Sequence, residues 1–199
     1  MPNTVTKVGD SAFADATNLL SAKLSENCTD VGICLFQGCT SLKSVDLNSK
    51  ITLINAQMFY KCSSIESIVI PDTVNKIGNY AFSECSSLKS VYIPSSVTEI
   101  SRSAFRKTAS VTIKGSYGSY AEEYAKANNI PFEGISAYDV GDVNMDGGIN
   151  ILDATLVQKY VVGIVELSAE QKHLADYNKD GDITVFDATE IQKFIVHLN

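Results

Sequence analysis

Apolar residues recur every 23 positions through the first part of the chain. Phenylalanine forms one such column, and aliphatic residues form others at the same spacing. Three of these columns are Phe13, Phe36, Phe59, Phe82 and Phe105; Val8, Val31, Ile54, Ile77 and Ile100; and Leu24, Leu47, Ile70 and Ile93. A fixed period of roughly 20–50 residues is the signature of a solenoid, in which stacked turns share one core. The pattern predicts five stacked turns over residues 5–115.

Each turn of the predicted solenoid contains one short strand and a return arm. The strand positions alternate between polar and apolar residues, as strands with one buried face do. This alternation places Leu42 and Ser44 on one face and Val45 and Leu47 on the other. The three clearest strands are residues 42–47, 65–70 and 88–93.

A change of pattern after Gly115 predicts a cap. Within Ser119–Ala127, Ala121, Tyr124 and Ala125 are apolar at helical spacing. Because a solenoid must cover its last open core face, we expect residues 116–134 to close the stack. No comparable cap precedes the first turn, and we expect the natural chain to continue upstream.

The repeats resemble a known family. Units such as Ile77–Phe82 followed by Leu88–Pro94, and the closing segment Gly118–Phe132, are similar to the bacterial surface-antigen (treponemal) type of leucine-rich repeat. The resemblance implies a β-solenoid of the α/β class with a helical cap. It also implies a role in adhesion or protein binding, toward an unknown protein or surface ligand.

The five cysteines all lie in the repeat module. Cys39, Cys62 and Cys85 are 23 residues apart, Cys28 stands in an apolar column, and Cys34 completes the set. The module contains no CxxC pair and no histidine, which argues against a metal or redox site. Thiols in a ladder point in parallel, which suits packing better than disulfide geometry. We predict five free thiols.

Charge separates a second module from the first. Residues 1–136 carry 12 basic and 12 acidic side chains, whereas residues 137–199 carry 4 and 11, which accounts for the whole net charge of −7. An acidic module repels nucleic acid and anionic membranes, so we expect neither as a partner. No apolar run reaches the roughly 18 residues of a membrane span, and the start shows no signal peptide.

Two twelve-residue segments of the acidic module, 34 residues apart, resemble EF-hand loops. Oxygen-bearing side chains stand at the first, third, fifth, ninth and twelfth places, glycine stands at the sixth, and the seventh offers its carbonyl. Hard oxygen ligands without Cys or His favour calcium over zinc. We predict two calcium ions, held by Asp142, Asn144, Asp146, Gly148, Asn150 and Asp153, and by Asp176, Asn178, Asp180, Asp182, Thr184 and Asp187.

Helices are predicted to follow each loop and not to precede the first. Gly141 and the short segment before it leave no room for a leading helix. The predicted helices are Asp153–Val162, a short one opened by a capping box at Ser168 and ending at Ala175, and Asp187–Leu198. This order resembles a dockerin, and Gly141–Gly147 is similar to the way dockerins begin.

The resemblance covers residues 139–199 and implies a type I-like dockerin. Dockerins are small all-α modules that bind, with calcium, to a cohesin module of a scaffoldin, usually in polysaccharide-degrading cellulosomes. The resemblance thus implies an extracellular or cell-surface location. It implies a partner-binding set of Ile151, Leu152, Thr155, Gln158 and Lys159 in the first copy, and Val185, Phe186, Thr189, Gln192 and Lys193 in the second.

The apolar pairs in this set depart from the family pattern. Where many dockerins have Ser-Thr, this chain has Ile151-Leu152 and Val185-Phe186, which favours a more apolar contact. We expect Leu152 and Phe186 to contact the partner. Ile151 and Val185 suit an interface and a core position equally well.

An enzyme is the least favoured class of function. The repeat module has no histidine, no nucleophile elbow and no phosphate-binding glycine loop, so we expect no catalytic residues. We therefore expect a leucine-rich-repeat domain at residues 1–134, a linker at 135–138 and a docking module at 139–199. The alternative is a calcium-sensing EF-hand-like regulator whose repeats bind the effector, although sensors pair helices on both sides of each loop.

Overall fold

The computed structural model describes residues 1–197. The chain divides into two compact units, residues 1–134 and residues 135 onward. Residues 198 and 199, where the predicted docking module and its last helix end, lie outside the described residues. No helix within the described part of the chain is long and apolar enough to cross a membrane.

The first unit is a β-solenoid whose turns each contain two short strands. Parallel pairing between successive turns joins, for example, Ser21 to Ser44 and Ser67 to Ser90. The strands are β1 (Lys7–Val8), β2 (Ser21–Lys23), β3 (Asp30–Val31), β4 (Ser44–Asp46), β5 (Leu53–Ile54), β6 (Ser67–Val69), β7 (Lys76–Ile77), β8 (Ser90–Tyr92), β9 (Glu99–Ile100), β10 (Thr112–Ser116) and β11 (Phe132–Ile135). Their sheet orders are β1-β3, β5-β7-β9, β2-β4 and β11-β10-β8-β6. The predicted solenoid is confirmed. Each turn also contains a second strand of two residues, which is too short to show alternation, and its buried residue belongs to the column from Val8 to Ile100.

The predicted orientation of one apolar column is wrong. Leu42, Ile65 and Leu88 are fully buried, although strict alternation placed Leu42 on the same face as the exposed Ser44. The strands are three residues long and begin after these positions. The Leu42 N–H donates to the Cys39 carbonyl (3.1 Å) in a turn that directs the side chain inward. Alternation therefore does not extend back to this residue.

The phenylalanine column forms the centre of the core. Successive rings from Phe13 to Phe105 stack with centroids 5.2–5.7 Å apart. Helix α1 (Tyr120–Ala127) follows, and the Tyr124 ring lies 6.1 Å from that of Phe105. The Tyr124 hydroxyl donates to the Ser101 carbonyl at 3.1 Å. The predicted cap helix is confirmed, because its apolar face continues the aromatic stack.

All five cysteines are free thiols, as predicted. The Cys39, Cys62 and Cys85 thiols each donate to the carbonyl of a phenylalanine 26 residues earlier. These acceptors are Phe13, Phe36 and Phe59, at 3.0, 3.1 and 3.0 Å. Thr108 makes the same bond to the Phe82 carbonyl in the last turn (2.7 Å). The cysteine ladder is thus a set of small buried donors that satisfies backbone acceptors beside the aromatic stack.

We predict that the ladder thiols of the folded protein resist alkylation. Burial raises the pKa of the Cys85 thiol to about 12 and also raises the pKa of Cys62 and Cys39. Since the thiolate is the nucleophile, these groups are protonated and unreactive at pH 8. Iodoacetamide without reductant should label the half-buried Cys34 first in the native chain and all five thiols after unfolding, as read by intact mass. Fewer than five labels after unfolding, or rapid native labelling of Cys62, would contradict this.

The second unit contains three helices around a small core. These are α2 (Ile151–Val161), α3 (Ala169–Ala175) and α4 (Val185–His197). The capping box predicted at Ser168 is present. Helices α2 and α4 begin two residues before the predicted starts, because the ninth residue of each loop accepts from the second helical N–H. Asn150 accepts from the Leu152 N–H at 2.9 Å, and Thr184 from the Phe186 N–H at 3.1 Å.

Candidate functional site

The first acidic loop folds around the carboxylate of its first residue. Asp142 is buried, and its two oxygens accept from the Asp146 N–H (3.1 Å) and the Gly147 N–H (2.9 Å). Asp146 in turn accepts from the Gly148 N–H at 3.0 Å. Gly147 has φ +94°, a conformation that glycine adopts without steric cost. The loop therefore closes over the carboxylates of its first and fifth places.

The twelfth residue ties the loop to the helix that follows. Asp153 is fully buried in the first turn of α2. One of its oxygens accepts from the Asn144 N–H (2.9 Å) and the other from the Asn150 N–H (2.8 Å). The N-terminal end of the helix dipole also favours this negative charge. The Asp153 carboxylate thus holds both the beginning of the loop, at Asn144, and its end, at Asn150.

The second loop repeats this geometry. Asp176 accepts from the Asp180 N–H (3.1 Å) and the Gly181 N–H (3.0 Å). Asp187, fully buried at the start of α4, accepts from the Asn178 N–H (3.2 Å) and the Thr184 N–H (2.9 Å). Equivalent hydrogen bonds in the two copies thus differ by no more than a few tenths of an ångström.

The donor chemistry of both loops fits a hard cation. The twelve predicted ligand positions lie on the two loops, six on each, and offer carboxylate, amide, hydroxyl and backbone oxygens. Within residues 1–197 no three His, Cys, Asp or Glu side chains are gathered as a metal site. The carboxylates of each loop alternate with amide, hydroxyl and backbone oxygens; Asn144, for example, lies between Asp142 and Asp146 in the sequence. Mixed oxygen donors of this kind suit calcium and not zinc.

An exposed apolar pair follows each loop. Ile151 and Leu152 are 55% and 61% exposed, and Val185 and Phe186 are 53% and 70% exposed. The interpretation of Ile151 and Val185 as core residues is therefore wrong. Each pair forms the first turn of its helix, directly beside the candidate metal loop, so the position of the pair depends on the loop conformation.

The other predicted partner residues lie along the same two helices. The Thr155 and Thr189 hydroxyls donate to carbonyls of their own helices, those of Ile151 (2.7 Å) and Val185 (2.9 Å). Gln158, Lys159 and Lys193 are exposed, and Gln192 is half-buried. The two copies therefore present two similar helical surfaces. Each surface contains one apolar pair and one Gln-Lys pair.

The two surfaces differ in charge. Lys193 forms an ion pair with Glu190 (2.7 Å), whereas the place equivalent to Glu190 in the first copy is occupied by Leu156. Lys159 therefore has no carboxylate at the matching position. The second surface has a locally neutralised lysine, and the first does not.

The structure adds exposed apolar residues that the sequence did not single out. Val162, Ile164 and Val196 are exposed near the ends of α2 and α4. Their only signal in the sequence was hydrophobicity, which core residues at helix ends share. They extend the apolar surface of the second unit beyond the two predicted pairs.

Comparison with known families assigns both units. The model of the BspA type leucine rich repeat region matches residues 1–113 in six copies, one more than the five turns predicted from the spacing. That of the dockerin type I domain matches residues 140–196. No curated protein matches the chain.

Solved structures match the repeat unit. A leucine rich cell surface protein from Faecalibacterium prausnitzii is 35% identical, with a TM-score of 0.59, over 63% of this chain and 33% of that protein. The leucine rich repeat protein of T. pallidum is 34% identical, with a TM-score of 0.53, over 55% of this chain and 52% of that one. The pneumococcal vaccine antigen PcpA, 17% identical over 68% of this chain and 40% of its own, shares the fold (TM-score 0.54). The chain thus spans about a third of the length of the Faecalibacterium prausnitzii protein and about half the length of the T. pallidum protein.

Proposed function

Because the chain belongs to the BspA type leucine rich repeat family and carries a dockerin type I domain, we propose that it docks onto a cohesin module of a scaffoldin. Docking requires calcium and is performed by residues 139–199, which residues 135–138 link to the repeats. Both modules are of types that typically mediate interactions without catalysis. The repeats, residues 1–134, bind a separate protein or surface ligand, and the assembly is of the cellulosome type and lies outside the cell.

One observation carries this proposal: each acidic loop directly precedes an exposed apolar pair on the helix that it caps. Calcium binding is a property of dockerin type I domains, and the loop donors fit that ion. Two ions, one in each loop, would fix the starts of α2 and α4. The loop carboxylates Asp153 and Asp187 lie in the same helical turns as Leu152 and Phe186. Metal and partner binding are therefore coupled through one turn of helix.

Native gel electrophoresis with a panel of purified cohesins tests the proposed docking. The full chain should shift with one cohesin class in calcium and not in chelator. A chain that binds calcium by calorimetry but shifts with no cohesin would contradict the docking proposal and favour a calcium-sensing role.

Leu152→Ala combined with Phe186→Ala is expected to weaken cohesin binding more than a hundredfold. A side chain that fills a desolvated pocket near the centre of an interface costs about 2 kcal/mol or more on truncation, and we expect both side chains to take this place. Isothermal titration calorimetry with the matching cohesin measures the loss. Leu20→Ala is the matched control, since Leu20 is 60% exposed but lies in the repeat unit; an equal loss there would contradict the assignment. A large loss from only one of the two single substitutions would show which helical surface the cohesin contacts.

A further inference from the structure

A cavity of about 620 Å³ lies at the end of the repeat stack. Its wall includes Phe105 and Val111 from the last turn and Ile130 and Pro131 from the segment after α1. This volume is in the range of small-ligand sites and suits a few amino-acid residues. The end of the stack therefore offers a concave surface with an apolar wall.

Both arginines of the chain, Arg102 and Arg106, line this cavity. In the structure, which describes residues 1–197, neither guanidinium forms a hydrogen bond or an ion pair. No Asp or Glu is among the described residues that line the cavity. Seven of the ten lysines of this unit form ion pairs with carboxylates, namely Lys7, Lys23, Lys76, Lys89, Lys107, Lys114 and Lys126. The cavity thus carries two positive charges without a counter-charge of its own.

The backbone that carries the arginines is fixed by the neighbouring turn. The Arg106 carbonyl accepts from the Glu84 N–H (3.1 Å) and the Ser83 hydroxyl (2.6 Å). The Ser101 N–H, next to Arg102, donates to the Ile77 carbonyl at 2.9 Å. The Glu84 carboxylate lines an adjacent smaller cavity with Arg106, but it is paired with Lys107 at 2.9 Å. The two guanidinium groups therefore extend from an ordered turn and stay available to a ligand.

We propose that this cavity, the arginine pocket, binds a short acidic peptide segment of a protein partner. Guanidinium groups match carboxylates in a bidentate fork, so Asp or Glu side chains of the segment pair with Arg102 and Arg106. A neighbouring aliphatic side chain of the segment packs on Ile130, which is half-buried, and on Pro131, which is exposed. This inference specifies the ligand of the repeats in the proposed function and does not depend on the docking module.

The aromatic residues of the wall favour a peptide over an acidic sugar. Sugar rings commonly stack on exposed aromatic faces, whereas Phe105 and Tyr124 are only 6% and 5% exposed. Their rings contact each other in the aromatic stack and present little free face to a ligand. Charge and aliphatic surface are the features that remain accessible.

NMR titration of the isotope-labelled full chain with acetyl-Leu-Asp-Glu-amide tests the proposal. The methyl signals of Ala109 and Ile130, which line the cavity and are exposed and half-buried, should shift with this peptide and not with the neutral acetyl-Leu-Asn-Gln-amide. Arg102→Gln and Arg106→Gln should each weaken binding about tenfold or more, since charge-assisted hydrogen bonds are lost. Raising the salt concentration should weaken binding as well. Lys43→Gln is the control, because it removes a positive charge from the repeat unit at an exposed residue that does not line the cavity.

Several outcomes would overturn the arginine pocket as a peptide site. The first is that the acidic peptide shifts no methyl signal, and the second is that the neutral peptide shifts them equally. The third is an effect of Lys43→Gln as large as that of the arginine substitutions. Shifts caused by trigalacturonate but not by the acidic peptide would assign the cavity to an acidic sugar instead. The titration contains no cohesin, so its failure is distinguishable from a failure of docking.

Discussion

Chelation of calcium is expected to unfold the docking module, residues 139–199, and to leave the stack of repeats folded. The core of the second unit is small, and three of its buried members are alanines, Ala154, Ala175 and Ala188. A module of about sixty residues has a free energy of unfolding of about 3–9 kcal/mol. A ligand at a hundredfold excess over its Kd adds about 2.7 kcal/mol per site. The binding of two calcium ions would therefore add a free energy comparable with the whole free energy of unfolding of this unit.

The loop carboxylates make the calcium-free state unfavourable as well. Asp142, Asp153 and Asp187 are buried, and like charges brought together in a poorly hydrated loop repel one another when no cation is bound. The repeat unit contains no acidic loop of this kind, and its core is a continuous apolar stack. Its folding should not respond to calcium.

Hydrogen exchange measured with calcium and with EGTA separates the two units. On chelation, exchange in α2 and α4 should rise to the rates of an unfolded chain, while strands β2 to β10 keep their protection. An equal rise in both units, or no change in either, would contradict the prediction.

Asp142→Ala combined with Asp176→Ala should reproduce the effect of the chelator in the presence of calcium. Each substitution removes the carboxylate around which one loop folds, and cohesin binding should be lost with the structure. Asp139→Ala is the control, since this exposed residue precedes the first loop and stands outside the ligand set. A double variant that keeps both its helical protection and its cohesin affinity would sink the calcium assignment.

Phe59→Ala is expected to lower the free energy of unfolding of the repeat unit by about 4 kcal/mol. Phe59 is fully buried, with its ring 5.7 Å from that of Phe36 and 5.4 Å from that of Phe82. Truncation removes a large apolar group, leaves a void and interrupts the stack on both sides. Because each turn contacts only its neighbours, no distant residue can compensate.

Phe13→Ala is the matched control for this loss. Phe13 belongs to the same column but is half-buried, and it stacks only on Phe36, at 5.6 Å, among the described rings. Its truncation should cost roughly half as much, because less apolar area is exposed and the void opens toward solvent. Urea unfolding followed by hydrogen exchange of residues 44–92 measures both variants. Equal losses would show that the stack is not the main source of stability.

The regular features of both units could be predicted from the sequence because they depend on local patterns. A 23-residue period implies stacking, and the spacing of Ala121, Tyr124 and Ala125 implies the cap helix. Oxygen donors at fixed places, with glycine at the sixth, are sufficient to indicate the acidic loops. Capping residues predict the helix after Ser168, and only the first turns of α2 and α4 begin earlier than the pattern indicates.

Other features of the repeat unit do not follow from the period or the alternation of its sequence. Leu42 is buried because a turn precedes its strand, which alternation alone does not reveal. Cys34, Gln57 and Tyr80 adopt left-handed conformations with φ between +56° and +58°, although none is glycine. They occupy equivalent corners of successive turns, and the N–H groups of Cys34 and Gln57 donate to carbonyls of the next turn, those of Ala56 (2.9 Å) and Asn79 (2.8 Å).

The sequence by itself determined the repeat, the two modules, the acidic loops and the chemistry of their donors, since period and residue type are sufficient for each. The tertiary structure alone decided which apolar residues face solvent. In the sequence, Ile151 and Val185 suit a core position and a surface position equally well. In the structure, the small core between α2 and α4 does not include them, and both are exposed. The tertiary structure also places Arg102, Arg106 and Ile130 around one cavity that no Asp or Glu among residues 1–197 lines. The sequence could not show this, because a charged side chain forms a binding site only where the fold adds a concave surface and leaves the charge unpaired.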